Sequence, residues 1–245
     1  MSQHRPLVHF LGTGTPIGQR GLHQSCILVE TNDRRLLVDC GMTALTSLGR
    51  AGIDPADVDA VIVSHLHGDH FGGLPLLLLD ATQRGRSRPL TIAGPAATRQ
   101  RVKEALDIFG WTSARMDAAV FVPLVPRVTV QVAGCEVTAF EVTHNPATSP
   151  TGLRLAADGA IIGYSGDAGW SSALAEIAHG VDLFICGVWS FDTVEASFLD
   201  LATLLRNRER LECKRLILTH LGPSMLERLA EVPLEVAFDG LVTQL

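Results

Sequence analysis

Short β-branched runs and amphipathic stretches alternate along the chain. LVHFLG (7–12), SCILVET (25–31), RRLLVDCG (34–41), DAVIVS (59–64) and LTIAG (90–94) come first. RVTVQVAG (127–134), VTAFEVTH (137–144), GLRLAADG (152–159), AIIGYSGD (160–167), DLFICG (182–187) and RLILTH (215–220) follow. Their length, β-branched and aliphatic content and flanking turn residues predict strands. Between them MTALTSLGRAG, GGLPLLLLDATQ, AATRQRVKEALDIFG, SSALAEIAHG and FLDLATLLRNRER read as helices, several with Asp or Ser just ahead as a cap. Two strand pairs are spaced for hairpins, 25–31 with 34–40 and 127–133 with 136–143. Strands interrupted by helices in both halves predict an α/β protein, with a mixed sheet or paired sheets and helices outside. No repeat, low-complexity tract or linker divides the chain, so residues 1–245 are expected to form one domain.

Composition narrows the classes of function. The chain is 47% hydrophobic and 19% charged, ordinary for a compact protein, and its net charge of −6 provides no basic footprint for tight nucleic-acid binding. MSQHRPLVHFLGTG lacks a charged segment followed by a long apolar one, so no signal peptide is expected. The longest apolar run, around LPLLLLDA, is about half of what a membrane helix needs. An exposed leucine edge there would suit a homodimer contact. Cys26, Cys40, Cys135, Cys186 and Cys213 form no CxxC pair and read as reduced thiols, which points to the cytoplasm.

The chemistry gathers at the ends of the apolar runs. His65 and His67 follow DAVIVS, His144 ends VTAFEVTH, Asp167 ends AIIGYSGD, His220 ends RLILTH and Asp39 closes RRLLVD. Any one of these has an ordinary reading as a polar turn, a cap or a buried histidine. Together they can converge on one sheet edge, where open sheets build their sites. Residues two apart in an extended segment face the same way, so His65 and His67 can grip one ion. Asp69 and His70 lie where the chain turns into a helix and suit a second. His144 would complete the first set and His220 the second, with Asp167 bridging. Imidazole and carboxylate without thiolate suit Zn²⁺ best, with Mn²⁺ or Fe as alternatives, and three or four ligands per ion leave a catalytic position open.

SHLHGDHFGG, with Asp39 before it and His144, SGD (165–167) and LTH (218–220) after it, resembles the metallo-β-lactamase-fold superfamily. HFLGTGTP, the DCG at 39–41 and RPLTIAGP (88–95) are similar to its ribonuclease Z-like branch, which also contains small-phosphodiester hydrolases. The resemblance spans about residues 7 to 230. It implies an αββα sandwich of two mixed β-sheets flanked by helices. It also implies the ligand set His65, His67 and His144 for one metal, Asp69, His70 and His220 for the other, with Asp167 between them. Asp39 would then stand behind the ligands and orient their imidazoles.

Two neighbouring ions lower the pKa of a shared water towards about 7 and neutralise charge on the attacked centre, so hydrolysis by metal-bound hydroxide is expected. Asp69 can orient that water or take its proton. LGTGTP is neither GxGxxG nor a P-loop, which argues against a nucleotide-dependent transferase or oxidoreductase.

Departures from the ribonuclease Z pattern bear on the substrate. His144 and Asp167 are only 23 positions apart, too close for the tRNA-gripping arm of that branch. Cys186 and Gly187 stand where its His-Glu pair would fall, and Phe198 stands near its later histidine. Both changes argue against tRNA 3′-processing and leave the general acid unidentified. The expected substrate is a small phosphodiester, such as a cyclic nucleotide or cyclic ribose phosphate. A carboxylic ester, lactone or sulfate ester on the same site is one alternative, and a non-catalytic metal- or ligand-binding regulator is another. His23, Trp189 and Phe191 are candidate pocket residues. The basic segment QRGRSR (83–88) reads as a solvated turn that could attract an anion.

Overall fold

Apolar residues on both faces of the central strands dictate a layered architecture. In β2 (Cys26–Glu30) Ile27 and Val29 face one way and Cys26 and Leu28 the other, and all four are buried. A strand apolar on both faces must be covered on both, by a second sheet on one side and helices on the other.

The computed structural model describes residues 5–245, so the first four residues of the expected domain span lie outside the described residues. One seven-stranded sheet contains β1 (Leu7–Gly12), β2, β3 (Arg35–Val38), β4 (Ala60–Ile62), β5 (Leu90–Gly94), β6 (Ala119–Pro123) and, from the chain's end, β14 (Leu241–Gln244). Its order is β14-β1-β2-β3-β4-β5-β6. The other contains β7 (Thr129–Val132), β8 (Cys135–Glu141), β9 (Thr151–Ala157), β10 (Ala160–Tyr164), β11 (Leu183–Gly187), β12 (Arg215–Thr219) and β13 (Glu235–Val236). Its order is β13-β12-β11-β10-β9-β8-β7. Both sheets are mixed. Strands β3 to β6 run parallel, as do β10 to β13, and the remaining pairings are antiparallel, including the two expected hairpins β2–β3 and β7–β8.

Val8, Phe10, Ile27, Val29, Leu36, Val38 and Ile62 of the first sheet meet Leu153, Leu155, Ile162, Tyr164, Leu183 and Ile185 of the second in one buried layer. Outside the first sheet lie α1 (Ala44–Arg50), α3 (Leu74–Gln83) and α4 (Thr98–Ile108), with the short α2 (Gly68–Phe71) ahead of α3. Outside the second lie α5 (Ser172–Ala178), α6 (Leu201–Arg206) and α7 (Pro223–Glu227). This is the αββα sandwich. In α3, Leu74, Leu77 and Leu78 are buried in the helix–sheet layer and Leu76 and Leu79 are half-buried. Among the described residues no helix is long and apolar enough to cross a membrane.

The sequence pattern predicts neither β6, β13, β14 nor α7. All three strands are sheet edges, where one face is solvated and the apolar signal weakens: Val120 of β6 is 52% exposed. FLDLATLLRNRER begins its helix only at Leu201, because the Asp200 carboxylate caps it by accepting from the Thr203 N–H (2.8 Å). Phe198 is therefore released into a loop, which matters for the site.

Candidate metal centre

Parallel strands and their connections bring five chain segments to one edge. Asp39 follows β3, Ser64 to His67 follow β4, and α2 carries Asp69 and His70. His144 follows β8, Asp167 follows β10 and His220 follows β12. Asp39 and His220 both take left-handed backbone conformations, with φ of 60° and 55°. Each turns the chain sharply out of its strand, and backbone hydrogen bonds hold the turns: Asp39 N–H to Ile62 O (2.8 Å) and His220 N–H to Thr13 O (3.0 Å). The second contact assigns a use to LGTGTP, whose loop braces the His220 turn.

The structure brings together all seven residues expected as ligands. One atom from each of His65, His67, His144 and Asp167 forms a first group within 4.8 Å, and Asp69, His70 and His220 form a second. In the first, His67 Nδ1 lies 3.1 Å from both His65 Nε2 and His144 Nε2. In the second, Asp69 Oδ2 lies 3.1 Å from His220 Nε2 and 3.4 Å from His70 Nε2. Asp167 stands between them. Its Oδ2 is 3.9 Å from His65 Nε2 and His144 Nε2, and its Oδ1 is 3.5 Å from His70 Nε2 and His220 Nδ1.

The surroundings suit a cation. His70 Nε2 and Asp167 Oδ1 are buried with no hydrogen-bond partner, an arrangement that proteins avoid unless something else satisfies the atoms. Burial pushes the Asp167 and Asp69 carboxyls up, but the neighbouring His70 and His220 outweigh it and hold both well below the usual carboxylate range. Burial, reinforced by His70 beside one and His144 beside the other, holds His65 and His67 below the ordinary histidine value, so their lone pairs are free at neutral pH. Burial pushes His70 down, but Asp167, Asp39 and Asp69 outweigh it and raise it well above the ordinary histidine value, so an ion bound there would displace a proton. Imidazoles and ionised carboxylates, with no thiolate among them, are donors that fit Zn²⁺ and similar divalent ions.

The remaining imidazole nitrogens are held from behind. His70 Nδ1–H donates to Asp39 Oδ2 (2.7 Å) and His144 Nδ1–H to the Ser197 carbonyl (2.8 Å). Ser64 gives its hydroxyl proton to Asp39 Oδ2 (2.8 Å), so it accepts from His65 Nδ1–H (3.0 Å). All three rings thus present Nε2 to the groups. Sequence reasoning picked out Asp39 but missed Ser64 and the Ser197 carbonyl. Ser64 had a signal, standing immediately before His65, whereas a backbone carbonyl has none.

A cavity of about 370 Å³ opens on the groups, lined by Pro16, Gln24, Met42, His67, Asp69, Asp167, Trp189, Phe198 and His220. Trp189 lines it, and His23 and Phe191 do not. The His23 ring is held by Ser47 Oγ (2.7 Å) and Arg50 (3.0 Å), and Phe191 packs in the outer layer of the second sheet under the Arg228 guanidinium (3.6 Å from the ring centre). Phe198 takes the place given to Phe191: it stacks on Trp189 (5.0 Å between ring centres) and meets His144 edge-on (4.8 Å). QRGRSR is spent on structure. Arg84 pairs with Asp80 and Asp54, Arg86 donates to the Ala56 and Val58 carbonyls, and Arg88 pairs with Asp59.

Cys186 is fully buried, burial pushes its thiol up to about 12, and it belongs to neither group. Gly187 has no room for a side chain, because a Cβ there would come within 2.7 Å of the Gly166 carbonyl, just before Asp167. Gly187→Ala is expected to cost about 1–3 kcal/mol of stability through that overpacking, measured by urea denaturation.

With the geometry in place, comparison with known proteins adds the relationship. The family model of the anti-Pycsar protein Apyc1 matches residues 7–242. The chain belongs to this family. This Apyc1-family chain is also 39% identical over 108 residues to ribonuclease BN of Escherichia coli, covering 42% of this chain and 35% of the ribonuclease. It therefore spans only about a third of the length of the curated relatives it matches. Among solved structures, the metallo-beta-lactamase fold protein YhfI from Bacillus subtilis superposes with a TM-score of 0.79 at 22% identity, over 98% of this chain and 99% of YhfI. A diphosphatase of the PhnP family superposes with a TM-score of 0.78 at 18% identity, over 98% of each chain. The Apyc1-family chain thus has the fold of the metallo-beta-lactamase fold protein YhfI.

Proposed function

We propose that the two groups hold two divalent ions, Zn²⁺ in the first instance with Mn²⁺ or Fe as alternatives, and that the chain hydrolyses a small phosphodiester. The observation that carries this reading is the division of Asp167, one oxygen facing His65 and His144 and the other facing His70 and His220. Bound there, such ions would supply an activated water near neutral pH and neutralise charge on the attacked centre. Asp69 lines the cavity with Oδ2 turned to His70 and His220, which leaves Oδ1 to orient water or accept its proton. Trp189 and Phe198 offer the substrate a flat aromatic wall, which suits a compact ring-bearing diester such as a cyclic nucleotide. Ribonuclease BN and the PhnP-family diphosphatase are named for cleaving phosphate linkages, in line with this chemistry.

Two features favour a small substrate over tRNA. The interval between His144 and Asp167 is filled by the Pro146–Thr148 turn, β9 and β10, with no room for an arm. The titratable groups lining the cavity, His67, Asp69, Asp167 and His220, all belong to the two groups, and Phe198 has no proton to give. A leaving group must then depart without a dedicated acid, which selects stable leaving groups. The same observation supports a second reading, hydrolysis of a carboxylic, lactone or sulfate ester. Free, mostly buried thiols suit the reducing cytoplasm as the place of action.

Zinc-loaded protein assayed on bis(p-nitrophenyl) phosphate, a p-nitrophenyl carboxylate ester and p-nitrophenyl sulfate separates these readings. Turnover of the phosphodiester is expected, together with a rate at least about 10²-fold lower on a dialkyl phosphate, the scale of a missing general acid. Turnover of the carboxylate ester alone would overturn the phosphodiester reading.

A further inference from the structure

Behind the two groups lies a polar knot with a member that no ligand pattern identifies. Asp39 is fully buried, and its carboxylate accepts four hydrogen bonds. Oδ1 takes the Ser64 N–H (2.7 Å), and Oδ2 takes the Ser64 hydroxyl (2.8 Å), His70 Nδ1–H (2.7 Å) and the Tyr164 hydroxyl (2.9 Å). Tyr164 is the chain's only tyrosine, ends β10 and is 1% exposed. Burial, with Asp39 and Asp167 nearby, pushes its phenol well above the ordinary value, so it stays a proton donor.

One oxygen therefore connects both groups. His70 of the second group binds it directly, and His65 of the first reaches it through Ser64. A carboxylate oxygen receiving three donors is held in orientation by all of them, and removing one frees it to re-aim towards the other two. We propose that Tyr164 is a positioning residue that sets the ion affinity of both groups at once through Asp39 Oδ2, an inference that rests on the metal-binding reading above. Tyr164 touches neither the cavity nor a ligand nitrogen. It acts by holding the acceptor that fixes His65 and His70 with their protons on Nδ1 and their lone pairs on Nε2. The coupling predicts that a change on one side of Asp39 is felt on the other.

The test is Tyr164→Phe, which removes one oxygen and keeps the ring that fills the core. Zn²⁺ competition against a chelator is expected to show both Kd values raised about tenfold, the lower end of the effect of losing an orienting partner. Nitrogen-detected NMR of the metal-free protein is expected to show His65 losing its single Nδ1–H tautomer. Ser64→Ala, a second variant in case the first does not fold, is expected to weaken the His65 group more than the His70 group. Unchanged Kd values in either folded variant would overturn the inference, as would a loss at one site alone in Tyr164→Phe. Wild-type protein that takes up fewer than two ions would instead overturn the two-ion reading, and the coupling with it.

Discussion

Asp167→Ala is expected to leave a folded protein that has lost both ions at working concentrations, with kcat/KM on bis(p-nitrophenyl) phosphate down by about 10⁴-fold or more. That factor corresponds to roughly 5.5 kcal/mol of transition-state stabilisation. The expectation follows from position: this is the carboxylate facing both groups, so its removal takes a negative oxygen from each. Asp167→Asn separates charge from shape, because the amide keeps the volume and still loses the anion, and a similar loss is expected. Metal content after dialysis and steady-state rates on the same sample measure the two effects together. An Asp167→Ala protein that retained two ions and activity within tenfold of wild type would show that the groups do not share this residue.

The second large effect is expected at Asp39, which does not line the cavity at the two groups. Asp39→Ala strands four buried donors: the N–H and O–H of Ser64, the His70 Nδ1–H and the Tyr164 hydroxyl. A buried donor without an acceptor costs about 1–3 kcal/mol, and hydroxyls that rotate recover part of it, so a loss of at least about 3 kcal/mol is expected. Urea denaturation of the metal-free protein reads that number free of any contribution from bound ions. Loss of His70 orientation is expected to lower metal affinity about 10- to 100-fold in the same variant. A metal-free stability within about 1 kcal/mol of wild type would mean that the knot closes around another acceptor.

The seven gathered residues were legible in the sequence because strand chemistry is local. A β-branched run that ends in a polar residue places that residue at a sheet edge, and spacing decides which neighbours share a direction. His65 and His67, two apart, do converge on the first group, while Asp69 and His70, one turn into α2, serve the second. The rule does not extend to Trp189 and Phe191. They are also two apart, but the chain has left β11 at Gly187, and the Phe191 N–H turns to Ser224 Oγ (3.2 Å). Period-two reasoning holds only while the backbone is extended and paired, so Trp189 faces the cavity and Phe191 the outer layer.

By itself the sequence determined the strands that carry the donors and the pairing of His65 with His67, since these depend on neighbours within a few positions. The two-sheet sandwich and the places of His144, Asp167 and His220 were expected from the family resemblance. Only the tertiary structure decided what surrounds them. Phe198 instead of Phe191 beside Trp189, His23 captured by Ser47 and Arg50, and Tyr164 brought 125 positions along the chain to Asp39 are contacts between distant segments. Their energies depend on how closely two sheets and their loops pack, and no periodicity along one strand carries that distance.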